Sequence, residues 1–117
     1  MPSSGDIQGL NPVLPVDDLA QAVAVWAALL GAQPTFVDGD RWAQFDVAGR
    51  RLALAGTDRV SERAGVMIKV GDLAAALDAA RGQGLSVGEP QEGPHEVRCV
   101  VMTPGGWPAI LYQPRKA

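Results

Sequence analysis

The side chains that most often do chemistry in enzymes are scarce in this sequence. It has one histidine and one cysteine, His95 and Cys99. His95 lies in EGPHEVR beside a Gly-Pro turn, which favours an exposed residue without a catalytic role. Cys99 lies in the apolar segment VRCVVM, which favours a small buried residue. No Gly-x-Ser-x-Gly motif and no Cys–His pair of recognisable spacing is present, so we predict no catalytic residue.

Aromatic residues with polar neighbours are the other candidates for a site. Trp42, Gln44 and Asp46 alternate with the apolar residues of the segment WAQFDV, so they share one face of a predicted strand. We interpret that face as ligand-binding, with the indole as a stacking surface. The alternative is that Trp42 fills an interface and the polar pair is solvated. Trp26, by contrast, falls on an apolar helical stripe and is predicted to be core.

A second candidate surface lies near the end of the chain, in TPGGWPAILYQP. Trp107 precedes a proline, which favours an extended conformation at a rim where the indole stacks on a flat ligand or covers a dimer contact. In the strand predicted after it, Pro108, Ile110 and Tyr112 share one face, and that face is apolar and aromatic.

The elements that position these residues occur twice. A strand at Val13–Val16 precedes a helix with the N-cap candidates Asp17 and Asp18, and Gly31 ends that helix. Strands at Gln33–Val37, Arg41–Val47 and Arg51–Ala55 follow. The order restarts at Gly65 with a strand, a helix capped by Asp72, and strands at Leu85–Val87, Val97–Met102 and Ala109–Gln113. VDDLAQAV and VGDLAAAL match at the strand end, cap and stripe, so a period of roughly fifty residues indicates internal duplication.

Length and composition limit the class of protein. A chain of 117 residues fits one domain, and 47% hydrophobic residues exclude a disordered chain. The net charge of −3 argues against nucleic-acid binding and against an anionic membrane surface. One thiol, no signal-peptide pattern and no long apolar run favour a cytoplasmic protein. We expect a tail over residues 1–9 and one domain over 10–117, made of modules at about 10–56 and 64–114.

Paired β-α-β-β-β modules that each open with a strand, an x-Asp-Leu segment and a helix resemble the vicinal oxygen chelate superfamily, which includes glyoxalase I, extradiol dioxygenases and bleomycin resistance proteins. The stretches LPVDDLAQAVAVWAALLGAQ and TPGGWPAILYQP carry the resemblance. It implies an α+β fold in which two βαβββ modules form a concave mixed sheet, an incomplete barrel, with the helices on the outer face. A trough on the inner face is where a small molecule would bind.

The metalloenzymes that this sequence resembles place one metal ligand on each of four strands. Matched residue by residue, those positions hold Asn11, Ala53, Gly65 and Ile110. A catalytic divalent metal needs about three His, carboxylate or thiolate ligands, and none of the four residues is one. We therefore predict no metal and no cofactor, and a closer similarity to the metal-free, bleomycin-resistance-like branch.

Three hypotheses follow. The first is a non-catalytic homodimer that sequesters an antibiotic or another aromatic molecule in the trough. The second is a metal-dependent lyase, transferase or dioxygenase of the same superfamily, in which Asn11, Asp46, His95 and Glu96 converge as displaced ligands. The third is a regulatory or structural module whose trough binds nothing, with Trp42 and Trp107 wedged into the core. For the first hypothesis, the expected ligand-binding residues are Trp42, Gln44, Asp46, Trp107, Ile110 and Tyr112.

Overall fold

A computed structural model describes residues 6–115. The described chain contains nine strands and two helices, and its order is strand–helix–strands, repeated. The elements are β1 (Ile7–Pro15), α1 (Leu19–Leu30), β2 (Phe36–Asp38), β3 (Trp42–Val47), β4 (Arg50–Ala55), β5 (Gly65–Val70), α2 (Leu73–Gly82), β6 (Ser86–Val87), β7 (Gln91–Glu92), β8 (Glu96–Met102) and β9 (Pro108–Pro114).

The chain divides into two compact units. We call Asn11–Ala64 the first unit, and residues 6–10 together with 65–115 the second unit. Each unit has a mixed sheet with one helix, in the βαβββ order, and the second unit carries the short strand β7 in addition. The predicted α+β class and the repeated module order are confirmed.

In the first unit the strand order is β2-β3-β4-β1, with β1 and β4 parallel and the other pairs antiparallel. The helix α1 begins as predicted, because the Asp18 carboxylate accepts a hydrogen bond from the Gln21 amide at 3.0 Å. It ends at Gly31, whose φ of 62° is left-handed and suits glycine. Leu19 packs with Phe45 and Leu54 of the sheet, and Trp26 lies against this core as predicted.

In the second unit the order is β5-β9-β8-β6, with β7 also paired to β8. The Asp72 carboxylate caps α2 by accepting from the Ala75 amide at 3.1 Å, as the repeated x-Asp-Leu pattern predicts. Cys99 is 1% exposed and belongs to the core between α2 and the sheet, so its predicted role as a small apolar residue is confirmed. Burial raises the pKa of the Cys99 thiol, which disfavours the nucleophilic thiolate.

The strand β1 starts earlier than the sequence predicts. Residues 1–5 of the expected tail lie outside the described residues, but Ile7–Gly9 are already strand. The backbone of β1 lies beside β5 here: the Gly71 amide donates to the Asp6 carbonyl at 2.9 Å, and a Cβ on Gly9 would contact the Lys69 Cβ at 3.4 Å. The tail prediction is wrong for residues 7–9 because this pairing partner is distant in sequence.

Candidate functional site

We call the side of each sheet that is turned away from its own helix the distal face. In the first unit Ala43 and Phe45 are fully buried against α1, so strand alternation places Trp42, Gln44 and Asp46 on the distal face. The cross-strand register agrees, since Gln44 pairs with Ala53 of β4. The three predicted residues therefore share one surface, and the Trp42 indole N–H donates to the Gln44 side-chain oxygen at 3.4 Å.

Asp46 is engaged within the sheet. Its carboxylate forms an ion pair with Arg51 directly across from it on β4, at 2.8 Å between Nε and Oδ1, and also accepts from the Thr35 hydroxyl. These hydrogen bonds, from Arg51 first and Thr35 second, lower the pKa of Asp46. A ligand that approached this carboxylate would meet a neutralised pair, so Asp46 contributes shape and hydrogen bonding more than charge.

Phe36 is a distal-face residue that the sequence reasoning missed. It pairs with Gln44 across β2 and β3, which makes it a diagonal neighbour of Trp42, within reach of an aromatic side chain. Phe36 is 49% exposed. The next residue, Val37, is equally exposed but pairs with Ala43 and so belongs to the helix side. The signal that identifies Phe36 is register, because β2 is three residues long and shows no burial alternation.

The distal face of the second unit has an apolar row. Ile110 is 5% exposed and lies between Met67 of β5 and Val100 of β8. Pro108, two residues earlier, is also buried and lies beside Met102. The predicted grouping of Pro108, Ile110 and Tyr112 on one face holds, because Leu111 and Cys99 face α2 instead.

A polar row runs beside the apolar row. Tyr112 is half-buried and lies between Lys69 of β5 and Arg98 of β8. Arg98 in turn pairs with Gln91 of β7 and makes a salt bridge to Glu96 at 3.4 Å. Lys69 and Arg98 were not identified from the sequence, because only the register of three strands brings them to the two sides of Tyr112.

Trp107 lies in the turn before β9 and is 59% exposed. The turn is closed by the Thr103 amide and hydroxyl, which both donate to the Trp107 carbonyl. Gly105 and Gly106 have φ values of 89° and 81°, which side-chain-bearing residues rarely adopt. The structural-module hypothesis expects Trp42 and Trp107 to be wedged into the core. Neither is, because Trp42 is half-buried and Trp107 is exposed.

The four positions that match metal ligands by resemblance do not fit a metal. Ala53 and Ile110 are apolar and buried, and the Asn11 amide nitrogen donates to the adjacent Pro12 carbonyl. Gly65 has no room for a side chain, because a Cβ there would lie 2.3 Å from the Pro108 carbonyl oxygen. The backbone of β9 thus occupies the space that a ligating side chain would need.

The displaced ligand set fits no better. Asp46 and Glu96 are each ion-paired to an arginine, and His95 is exposed in the β7–β8 turn, as predicted. Within residues 6–115, no three His, Cys, Asp or Glu side chains come together in a way that could hold a metal ion. The predicted convergence of Asp46, His95 and Glu96 with Asn11 therefore does not occur, and we derive no chemistry through a metal.

No protein-family model and no curated protein matches the sequence, but solved structures match the fold. A structure from Legionella pneumophila, described as an NAD-dependent benzaldehyde dehydrogenase, aligns over 92% of this chain and 100% of its own, at 15% identity and a TM-score of 0.77. A glyoxalase/bleomycin resistance protein/dioxygenase superfamily member from Vibrio splendidus aligns over 92% and 98%, at 14% identity and a TM-score of 0.67.

A variant of homoprotocatechuate 2,3-dioxygenase from Brevibacterium fuscum aligns over 96% of this chain but 34% of its own, at 18% identity and a TM-score of 0.61. This chain therefore spans about a third of the dioxygenase. Identities this low show the fold alone. The fold of this protein is that of the vicinal oxygen chelate group, as the repeated modules and these two superfamily neighbours show.

Proposed function

We propose that this protein binds a small aromatic molecule on its distal sheet faces and releases it unchanged, as a sequestering protein does. The observation that carries the proposal is the half-buried Trp42, held by Gln44 and flanked diagonally by the exposed Phe36. A sheet face that is meant only for water would carry polar residues at these positions. Two aromatic side chains with an amide between them form a surface on which a flat ring stacks.

The apolar area of the two aromatic side chains supports weak binding. Covering one aromatic side chain contributes roughly 2–3 kcal/mol from apolar area alone. Two stacking contacts together contribute about 4–6 kcal/mol before the costs of association are subtracted, so on their own they correspond to a dissociation constant of about a millimolar. The predicted roles of Gln44 and Asp46 follow: the amide orients the ligand, and the Asp46–Arg51 pair closes one end of the surface.

The names of the structural neighbours are compatible with this proposal. One is described by its action on benzaldehyde, a small aromatic compound, and one belongs to a superfamily that includes bleomycin resistance proteins. The enzymatic alternative lacks a favouring observation, because no set of metal-binding side chains comes together in the part of the chain that the structure describes. Antibiotic sequestration is the biological role that we propose. No helix among residues 6–115 is long and apolar enough to cross a membrane.

The three tryptophans allow a direct test by NMR. Their indole N–H signals report separately on the distal face (Trp42), on the core (Trp26) and on the turn (Trp107). Titration with bleomycin and with the neutral planar probe 2-naphthamide should shift the Trp42 signal and leave Trp26 unmoved. Recovery of the unchanged ligand, checked by mass spectrometry, tests the absence of turnover. Signals that stay constant with both probes at millimolar concentration would refute the binding function.

The strand β2 offers a matched pair of variants. Phe36→Ala should weaken 2-naphthamide binding several-fold, whereas Val37→Ala should leave it unchanged, because the two side chains are equally exposed on opposite faces. Equal effects would mean that the probe does not use the distal face. We propose in addition that the protein is a homodimer, which sedimentation velocity of the intact chain measures directly.

A further inference from the structure

The polar row on the distal face of the second unit contains two cationic side chains, and the proposed function gives them no role. Tyr112 is its centre, with Lys69 on one side and Arg98 on the other. Adjacent strands are about 4.8 Å apart, so the two cations start from backbones that are roughly 10 Å apart across the Tyr112 ring. This spacing leaves the tyrosine side chain between two positive charges on strands that both pair with β9.

The two cations differ in their surroundings. The Arg98 side chain is 15% exposed and its charge is offset by Glu96 at 3.4 Å. Lys69 is half-buried, and its side chain makes no hydrogen bond or ion pair with any of residues 6–115. Its aliphatic stem lies over Gly9, where a Cβ would be 3.4 Å from the Lys69 Cβ and 3.9 Å from its Cδ. The aliphatic stem accounts for the burial that is seen, and an ammonium with no anionic partner on the protein is available to an anionic ligand.

The neighbouring row supplies the apolar complement. Met67, Ile110 and Val100 lie next to one another across β5, β9 and β8, two residues along each strand from the polar row. The distal face is therefore apolar on one side and cationic on the other. The row contains two positive charges, Lys69 and Arg98, and one negative charge, Glu96, so it has one excess positive charge. The whole chain, by contrast, has a net charge of −3. A molecule that matches this face has an apolar ring at one end and an anion at the other.

We propose that the ligand is an aromatic acid, and that Lys69 binds its anionic group while the ring lies against Met67 and Val100, the half-buried residues on the two sides of Ile110. This inference rests on the proposed function, and it specifies the class of ligand for the second unit. Arg98 contributes to the field near the ligand, and the Tyr112 ring forms the surface between the two cations. The overall acidity of the chain favours cationic ligands slightly, so selection of an anion must come from this local arrangement.

Isothermal titration calorimetry with a matched pair of probes tests the inference. 2-Naphthoate and 2-naphthamide have the same ring and nearly the same shape, and they differ in charge. The wild-type protein should bind 2-naphthoate about tenfold more tightly than 2-naphthamide. Lys69→Met keeps the aliphatic stem and removes the charge, so it should abolish that preference and leave the affinity for 2-naphthamide unchanged. Raising the salt concentration should weaken only the naphthoate complex.

The design includes a control variant, and its negative outcomes distinguish failure of the acid-binding inference from failure of the proposed function. Arg81→Met removes one positive charge from α2, in the same unit but behind the sheet, and should preserve the preference for 2-naphthoate. If 2-naphthamide binds as tightly as 2-naphthoate, or if Lys69→Met weakens both equally, the acid-binding inference is overturned and the aromatic-binding function stands. If neither probe binds, both are overturned.

Discussion

The distal faces of the two units occupy corresponding places in duplicated modules, yet their charged side chains are neutralised to different extents. In the first unit the carboxylate of Asp46 lies directly across from Arg51 and is neutralised at 2.8 Å. In the second unit Lys69 makes no ion pair with any of residues 6–115, and the residue across from it is Tyr112. One face carries a neutral ion pair beside aromatic side chains, and the other carries an excess cation beside apolar side chains.

The difference shows how a repeated fold separates structure from recognition. The helix caps Asp18 and Asp72 and the apolar helix-side cores are alike in both units, because each sheet needs a helix to cover one face. The distal faces are free of that requirement, so their residues diverge. The comparison predicts that substitutions on the helix side act on stability and that substitutions on the distal face act mainly on binding.

The largest effect that tests this separation involves two adjacent residues of β3. Phe45→Ala should cost about 3–5 kcal/mol of unfolding free energy, because the side chain is fully buried against α1. Gln44→Ala, one residue away on the distal face, should cost less than about 1 kcal/mol. Urea unfolding followed by circular dichroism measures both values. Similar losses for the two variants would show that the distal face is as much a part of the core as the helix side.

The next largest effect concerns the close approach of β5 and β9. Gly65→Ala should cost about 1–3 kcal/mol, because the added Cβ would lie 2.3 Å from the Pro108 carbonyl oxygen and the strands would have to separate. Gly82→Ala is the matched control, since nothing lies within 4 Å of its position and it ends α2. The free energy of unfolding of that variant should not fall, and it should rise by up to about 1 kcal/mol because alanine has the better helix propensity. Equal behaviour in thermal melts would contradict the packing argument.

The sequence predicts those features that depend on local pattern. The x-Asp-Leu caps, the alternation of Trp42, Gln44 and Asp46 against Phe45, and the helical position of Trp26 are local, and the structure bears them out. The four positions without metal ligands are identifiable because the resemblance fixes where they lie. The expected sharing of one face by Ile110 and Tyr112 follows from the two-residue period of a strand.

The remaining features depend on pairing between distant segments, which no local pattern encodes. Lys69 and Arg98 flank Tyr112 only because β5 and β8 both pair with β9 in a particular register. Phe36 joins the aromatic surface through the register of β2 on β3. The early start of β1 at Ile7 reflects contacts with residues near Lys69 and Gly71. A shift of one residue in any of these registers would move every side chain of that strand to the other face.

A smaller effect addresses the two charges themselves. Arg51→Met should reduce the free energy of unfolding by up to about 1 kcal/mol, since it removes the ion pair of Asp46 and leaves that carboxylate only the Thr35 hydroxyl, with both charged side chains substantially exposed. Lys69→Met should not reduce the free energy of unfolding, because its ammonium makes no polar contact with any of residues 6–115 that the substitution would remove. Urea midpoints of the two variants at low salt give the comparison. A loss for Lys69→Met that matches the loss for Arg51→Met would mean that Lys69 stabilises the fold instead of serving a ligand.

The smallest effect is a dependence on pH that belongs to the first unit. The hydrogen bonds from Arg51 and then Thr35 lower the pKa of Asp46 below its unfolded value of about 3.9, so its ionised form stabilises the folded state. That contribution is complete above about pH 5 and disappears as the pH falls through the unfolded and then the lowered pKa. Asp46→Asn should therefore be less stable than the wild type by a few tenths of a kcal/mol at pH 6. The difference should shrink as the pH falls through the lowered pKa, as thermal melts from pH 6 into the acid range can show.

Thr35→Val separates the two hydrogen bonds to Asp46 in the same experiment. It removes the hydroxyl donor and keeps Arg51, so its own pH dependence should lie between those of the wild type and Asp46→Asn. If Asp46→Asn instead shows a constant difference from pH 6 to pH 2, the ion pair does not act through the charge of Asp46. The contrast between a neutralised first face and a cationic second face would then lose its electrostatic basis, and only the difference in shape between the two surfaces would remain.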